Sequence, residues 1–240
     1  MDVLAATEVE RALVIVAHPD DAEFWAGGTL AGWAETGIAV TICVLTDGEQ
    51  GGFDSTTPRS QIPRIRRAEQ QAAAEVQGIG DVRFLGLTEE DLHPTPRLKR
   101  SLVALIRELR PRRILTWSPE WNWQRFRSSH PNHRATGEAT LSAIYPDAGN
   151  RFAHTDLREQ GLEAWNVEEI WLINAPEPNH YVNVTSTFEH KVAAVRAHES
   201  QVGNRSDLAA ELRARIEPNT AAAGLEPGEL AEAFQVVFNR

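Results

Sequence analysis

A chain of 240 residues with 42% hydrophobic and 24% charged residues is long enough for one sizeable core and too rich in apolar residues for disorder. Its formal net charge of −10 excludes a binder of nucleic-acid backbones, which needs a basic stripe to displace counterions, and leaves small molecules as partners. No apolar stretch approaches the roughly 18 residues of a membrane span, and residues 1–10 lack the basic start of a leader.

The lone cysteine, Cys43, lies inside the apolar run 38–45 and forms no internal disulfide, so a reducing cytoplasm is expected. The acidic composition does not fix the subunit count, and a homo-oligomer stays among the partners considered.

In chain order, short apolar runs at 12–17, 38–45, 82–85 and 112–116 are rich in β-branched residues and predict strands. Between them, 29–36, 63–76 and 96–109 carry helical spacing, with Gly37 and Gly78 as stops for the first two. Alternation of this kind predicts a single α/β domain over residues 1–240, a Rossmann-like and mostly parallel sheet flanked by helices. Residues 147–161 lack periodicity. Two more strands follow at 169–173 and 181–184, then helices at 187–199 and 208–216, and 219–227 reads as a loop.

The chemistry collects where strands stop. His18-Pro19-Asp20-Asp21 ends the first run, and His130-Pro131-Asn132-His133 follows the run that ends at Trp117. Open α/β sheets bind ligands outside the carboxyl ends of their strands, so the two clusters are expected to meet at one sheet edge. Catalytic zinc takes three protein donors and leaves a position for water, and His18, Asp21 and His133 supply such a set. Fe2+, cobalt and manganese suit the same donors. Asp20, beside a ligand but turned elsewhere, suits a general base. If Pro131 opens a helix, His130 shares a face with His133 and either steadies an oxyanion or protonates a leaving amine.

Taken singly, each cluster also fits ordinary helix-start chemistry; the pair does not. Gly27-Gly28 lacks the spacing of a dinucleotide or phosphate loop, which leaves close backbone packing as its role.

With Ala17-His18-Pro19-Asp20-Asp21-Ala22-Glu23, Gly27-Gly28-Thr29-Leu30, the segment from Leu45 to Gly51, Arg66-Arg67-Ala68-Glu69 and Ala197-His198-Glu199-Ser200-Gln201, the chain resembles the PIG-L/LmbE family of zinc-dependent de-N-acetylases. The resemblance implies removal of an acetyl or other acyl group from an N-acylated glucosamine-type sugar or small glycoconjugate. It implies His18, Asp21 and His133 as zinc ligands, Asp20 as the base, His130 as a second catalytic histidine and Arg66 as a contact to substrate hydroxyls. A larger-amide amidase and a non-catalytic metal-binding module are the competing readings.

Two positions depart from the family pattern, which usually has Asp at the first and commonly at the second. Asn132 removes a charge expected to keep the neighbouring His130 protonated, and Asn183 lies in the predicted strand 181–184. The resemblance implies an acid for sugar hydroxyls after the third strand, so Glu89, Glu90 and Asp91 are read either as supplying it or as solvated loop charges, and Trp117, Trp121, Trp123 and Phe126 suit either a sugar face or packing. His198 is expected to be structural rather than a ligand.

Overall fold

The computed structural model describes residues 2–239. Seven strands form its sheet: β1 (Arg11–Val16), β2 (Ala39–Thr46), β3 (Asp81–Leu87), β4 (Arg113–Trp117), β5 (Glu169–Ile173), β6 (His180–Asn183) and β7 (Ala231–Phe238). They lie in the order β3-β2-β1-β4-β5-β7-β6. The first five are parallel neighbours, and β7 pairs antiparallel with both β5 and β6.

The helices are α1 (Asp21–Glu35), α2 (Ile62–Val76), α3 (Pro96–Leu109), α4 (Pro131–Ser142), α5 (Thr155–Glu159), α6 (Phe188–Arg196), α7 (Glu199–Val202), α8 (Leu208–Ile216) and α9 (Asn219–Ala222). Side chains of β1 alternate between two cores: Ala12, Val14 and Val16 pack on one face of the sheet, and Leu13 and Ile15 on the other. A parallel strand buried on both faces reads as a continuous apolar run, which is why β1 was recognisable.

From β1 the chain winds outward through β2 to β3, then returns to β4 on the other side of β1 and proceeds to β5. The crevice between the carboxyl ends of β1 and β4 is therefore the switch point at which such sheets bind ligands. Thr46, at the end of β2, closes one side of it by donating its hydroxyl and its N–H to Ala17 O, at 2.8 and 2.9 Å.

Three sequence expectations need correction. The first helix begins at Asp21 rather than residue 29, because α1 runs through Gly27-Gly28. A Cβ at Gly28 would lie 2.6 Å from the Cβ of Val184, so the glycine lets the chain before α6 pack directly on α1. On that same stretch the fully buried pair Lys191–Glu232 bonds to backbone groups: Nζ donates to Glu23 O and Phe24 O, and the carboxylate accepts from the N–H groups of Gly28 and Thr29. Second, β7 had no counterpart in the sequence reading; its run Ala-Glu-Ala-Phe-Gln breaks an apolar pattern with Glu232, a charge that becomes tolerable only once Lys191 is beside it. Third, part of the loop at 219–227 is the short helix α9.

Candidate active site

His18 lies two residues past β1, and Asp21 occupies the first position of α1. Asp21 Oδ2 accepts three N–H groups, from the backbones of Ala17 (3.1 Å) and His18 (2.9 Å) and from the indole of Trp117 (3.1 Å). Its other oxygen, Oδ1, lies 3.2 Å from His133 Nε2, and His18 Nδ1 lies 3.6 Å from Oδ2.

His133 comes from α4, which starts at Pro131 with His130 as the residue before its first turn, as proline at a first helical position allows. His133 Nδ1 faces Ser128 O at 3.3 Å, which places the ring proton there and leaves Nε2 with a free lone pair. Trp117 stacks on this ring at 3.6 Å between centroids and 7° between planes.

His18, Asp21 and His133 thus form a group able to hold a metal ion, with donor atoms all within 4.8 Å of one another. Two imidazoles and one carboxylate, each oriented from behind, fit a divalent cation with an open coordination position. Burial would raise the Asp21 carboxyl, but His133 and His18 outweigh it and hold it well below the usual carboxylate range. The ionised state is the one a cation requires.

His130 is exposed, and its ring centre sits 5.3 Å from that of His18 and 5.1 Å from that of His133. Its Nδ1 accepts the Asn132 backbone N–H at 3.2 Å, so the neutral ring carries its proton on Nε2. Burial, His133 and His18 all push its pKa below 6.5. The side chain of Asn132 does not meet His130; Nδ2 is 3.2 Å from His18 Nε2. The expected effect of this position on His130 is therefore relocated to His18.

Asp20 adopts a left-handed backbone (φ 102°), and its carboxylate accepts from Arg66 at 2.9 Å. Burial raises its pKa, with the Arg66 charge opposing and the Asp21 charge adding to the rise. Arg66 itself is only 3% exposed. It also donates to Gly48 O at 2.9 Å and makes a short bond to Pro19 O. A Cβ at Gly48 (φ 64°) would sit 2.2 Å from this guanidinium, so the glycine makes the bond possible. Arg66 is thus engaged by protein atoms beneath Asp20, so its expected contact with substrate hydroxyls would be made from a side chain already bonded to the protein.

Among the three acids after β3, Glu89 faces the site, with Oε2 3.5 Å from His18 Nε2. Glu90 pairs with Arg59, and Asp91 accepts from Thr88. Trp117 is fully buried and packs on the candidate metal site, whereas Trp121, Trp123 and Phe126 lie nearly parallel to one another, with Arg134 over Trp121 at 4.0 Å. Asn183 bonds to Thr185 and Glu229 and to none of these groups. His198 is buried against Glu23 at 3.2 Å, as a structural histidine would be. Sequence reasoning passed over Trp117 as a ligand holder, because its bond to Asp21 spans 96 positions.

Residues 13–144, more than half of the chain, match the family described as "PIG-L: GlcNAc-PI de-N-acetylase". The chain belongs to the PIG-L family. It is 30% identical to the diacetylchitobiose deacetylase of Thermococcus kodakarensis over 194 residues, covering 81% of this chain and 71% of that protein. It is 32% identical to a probable N-acetyl-alpha-D-glucosaminyl L-malate deacetylase 2 of Bacillus cereus, covering 79% of this chain and 82% of that one. The fold superposes on the N,N'-diacetylchitobiose deacetylase of Pyrococcus horikoshii with a TM-score of 0.87 at 24% identity, covering 96% of this PIG-L chain and 85% of that one. No helix among the described residues is long and apolar enough to cross a membrane.

Proposed function

We propose that this PIG-L protein is a zinc-dependent N-deacetylase acting on an N-acetylglucosamine-type sugar or small glycoconjugate. The observation that carries the reading is the convergence on one crevice of a three-donor group, a half-buried carboxylate and an exposed imidazole: His18, Asp21 and His133 with Asp20 and His130. The relatives named for diacetylchitobiose and for a glucosaminyl malate support the substrate class.

His18, Asp21 and His133 would hold the cation, which supplies Lewis acidity that polarises an amide carbonyl and acidifies water. Asp20 accepts the proton of the attacking water as its oxygen bonds to the acetyl carbon. His130, with its proton fixed on Nε2, donates to the oxyanion that develops on the carbonyl oxygen. Asp20 then returns the proton to the nitrogen as the C–N bond breaks, and acetate and a free amino sugar leave. Cys43 takes no part: burial pushes its thiol up to about 12. The reading keeps a cytoplasmic setting for a chain whose single cysteine is buried, and takes residues 1–240 as one catalytic domain.

The test couples metal analysis by mass spectrometry to amine release from N-acetylglucosamine and diacetylchitobiose, in wild type and His133→Ala. The expected result is about one zinc per chain, lost together with amine release in the variant. Retained zinc with no amine from any acylated amino sugar would replace the enzyme with a metal-binding module.

A further inference from the structure

Asp20 is held at both ends by one helix. Arg66 and Gln70, four residues apart on α2 and so on one face, reach it from below. Arg66 donates to the carboxylate, and Gln70 Oε1 accepts the Asp20 backbone N–H at 3.0 Å. The second bond falls on a residue whose backbone is strained, since a φ of 102° is costly for any side chain other than glycine and persists only where the surroundings enforce it.

Gln70 does not act alone. Its Nε2 donates to Glu23 Oε1 at 2.7 Å, and Glu23 Oε2 lies 3.2 Å from His198 Nε2. All three side chains are completely buried. Placing an amide, a carboxylate and an imidazole out of water is expensive compared with filling the same volume with apolar groups. The run ends at His198, whose Nδ1 has no hydrogen-bond partner among the described residues. What it reaches at its other end is the backbone of Asp20.

We propose that Gln70, Glu23 and His198 are positioning residues for Asp20: a buried hydrogen-bonded chain that fixes the amide of the base in its left-handed turn and so aims its carboxylate. The chain ties the start of α1 to α2 and to the junction of α6 and α7. Glu69 reinforces it by accepting the N–H and hydroxyl of Ser200, at 2.6 and 2.7 Å. The proposal rests on the reading of Asp20 as the base, and its consequence is a loss of turnover rather than of substrate or metal binding.

Gln70→Met keeps the volume and removes both hydrogen bonds. It is measured alone and in an Asp20→Asn background, with kcat, KM, zinc content and melting temperature read for each. The expected result is a fall in kcat of about 10- to 100-fold, the cost of a small misplacement, with KM and zinc unchanged and no further fall in the Asp20→Asn background. An equal fractional loss in both backgrounds, or a loss that follows zinc content, would overturn the proposal. A crystal structure of Gln70→Met separates this from failure of the enzymatic reading. If Asp20 keeps a positive φ and its bond to Arg66, the chain does not position it, whether or not the wild type releases amine. Gln70→Ala, which leaves room for a water, serves as the second variant if Gln70→Met does not fold.

Discussion

Trp117 holds two of the three candidate metal ligands at once: its ring lies flat on His133 at 3.6 Å, and its indole N–H donates to Asp21 at 3.1 Å. Trp117→Phe retains a stacking ring and deletes the donor. Metal affinity is expected to fall about 10- to 100-fold, as for other residues that orient ligands from behind, with KM for substrate unchanged in the metal-saturated enzyme. Competition with a chelating dye measures it, and an unaltered affinity would mean that the backbone N–H groups of Ala17 and His18 suffice to orient the carboxylate.

Asn132→Asp restores the acid usual in the family. Since the side chain faces His18 Nε2, the new carboxylate would hold a proton on that nitrogen and free Nδ1, which faces Asp21, for the cation. Zinc is expected to bind about tenfold more tightly. A shift in the pH profile of turnover with no change in zinc affinity would instead return the effect to His130.

Arg66→Lys distinguishes support of Asp20, the proposed base, from contact with substrate. A lysine ammonium lacks the planar fork that serves Asp20, Pro19 and Gly48 together. Turnover is expected to drop about 10- to 100-fold with KM within about twofold. A raised KM at unchanged kcat would show that the guanidinium reaches the sugar after all.

Away from the site, Asp147 accepts from Lys99 at 2.8 Å and His154 at 2.9 Å. Burial would raise its carboxyl, but the two hydrogen bonds outweigh it and hold it below its ordinary value. The unfolded chain therefore takes up this proton at a higher pH than the folded one. Stability from the pair is complete above the unfolded carboxyl value and disappears as pH falls through the folded one. Asp147→Asn should cost about 1 kcal/mol near pH 7, and its deficit in urea unfolding should shrink below about pH 4. A deficit independent of pH would assign the cost to packing.

What could be read from the sequence was what local pattern encodes. The runs that became β1 to β5, and the candidate ligands His18, Asp21 and His133 that the fold brings together, were visible because strand ends and motif spacing are short-range features. The start of α1 was hidden because Gly27-Gly28 argues against a helix until Val184 is known to press on it. β7 was hidden because Glu232 looks like a solvent charge until Lys191 neutralises it. Arg66 was expected at substrate hydroxyls from the family resemblance, and only the fold shows its bonds to the carbonyls of Pro19 and Gly48.

The switch-point crevice also has a meaning for assembly. Asn132 and His18 are 114 positions apart and meet only because β4 has docked beside β1. A cation bridging these two segments closes a loop that long and favours only chains in which the central strands have already paired. Zinc should therefore raise the unfolding midpoint in proportion to the logarithm of its concentration, and capture of the ion would serve as a clock for the late, non-local step of folding.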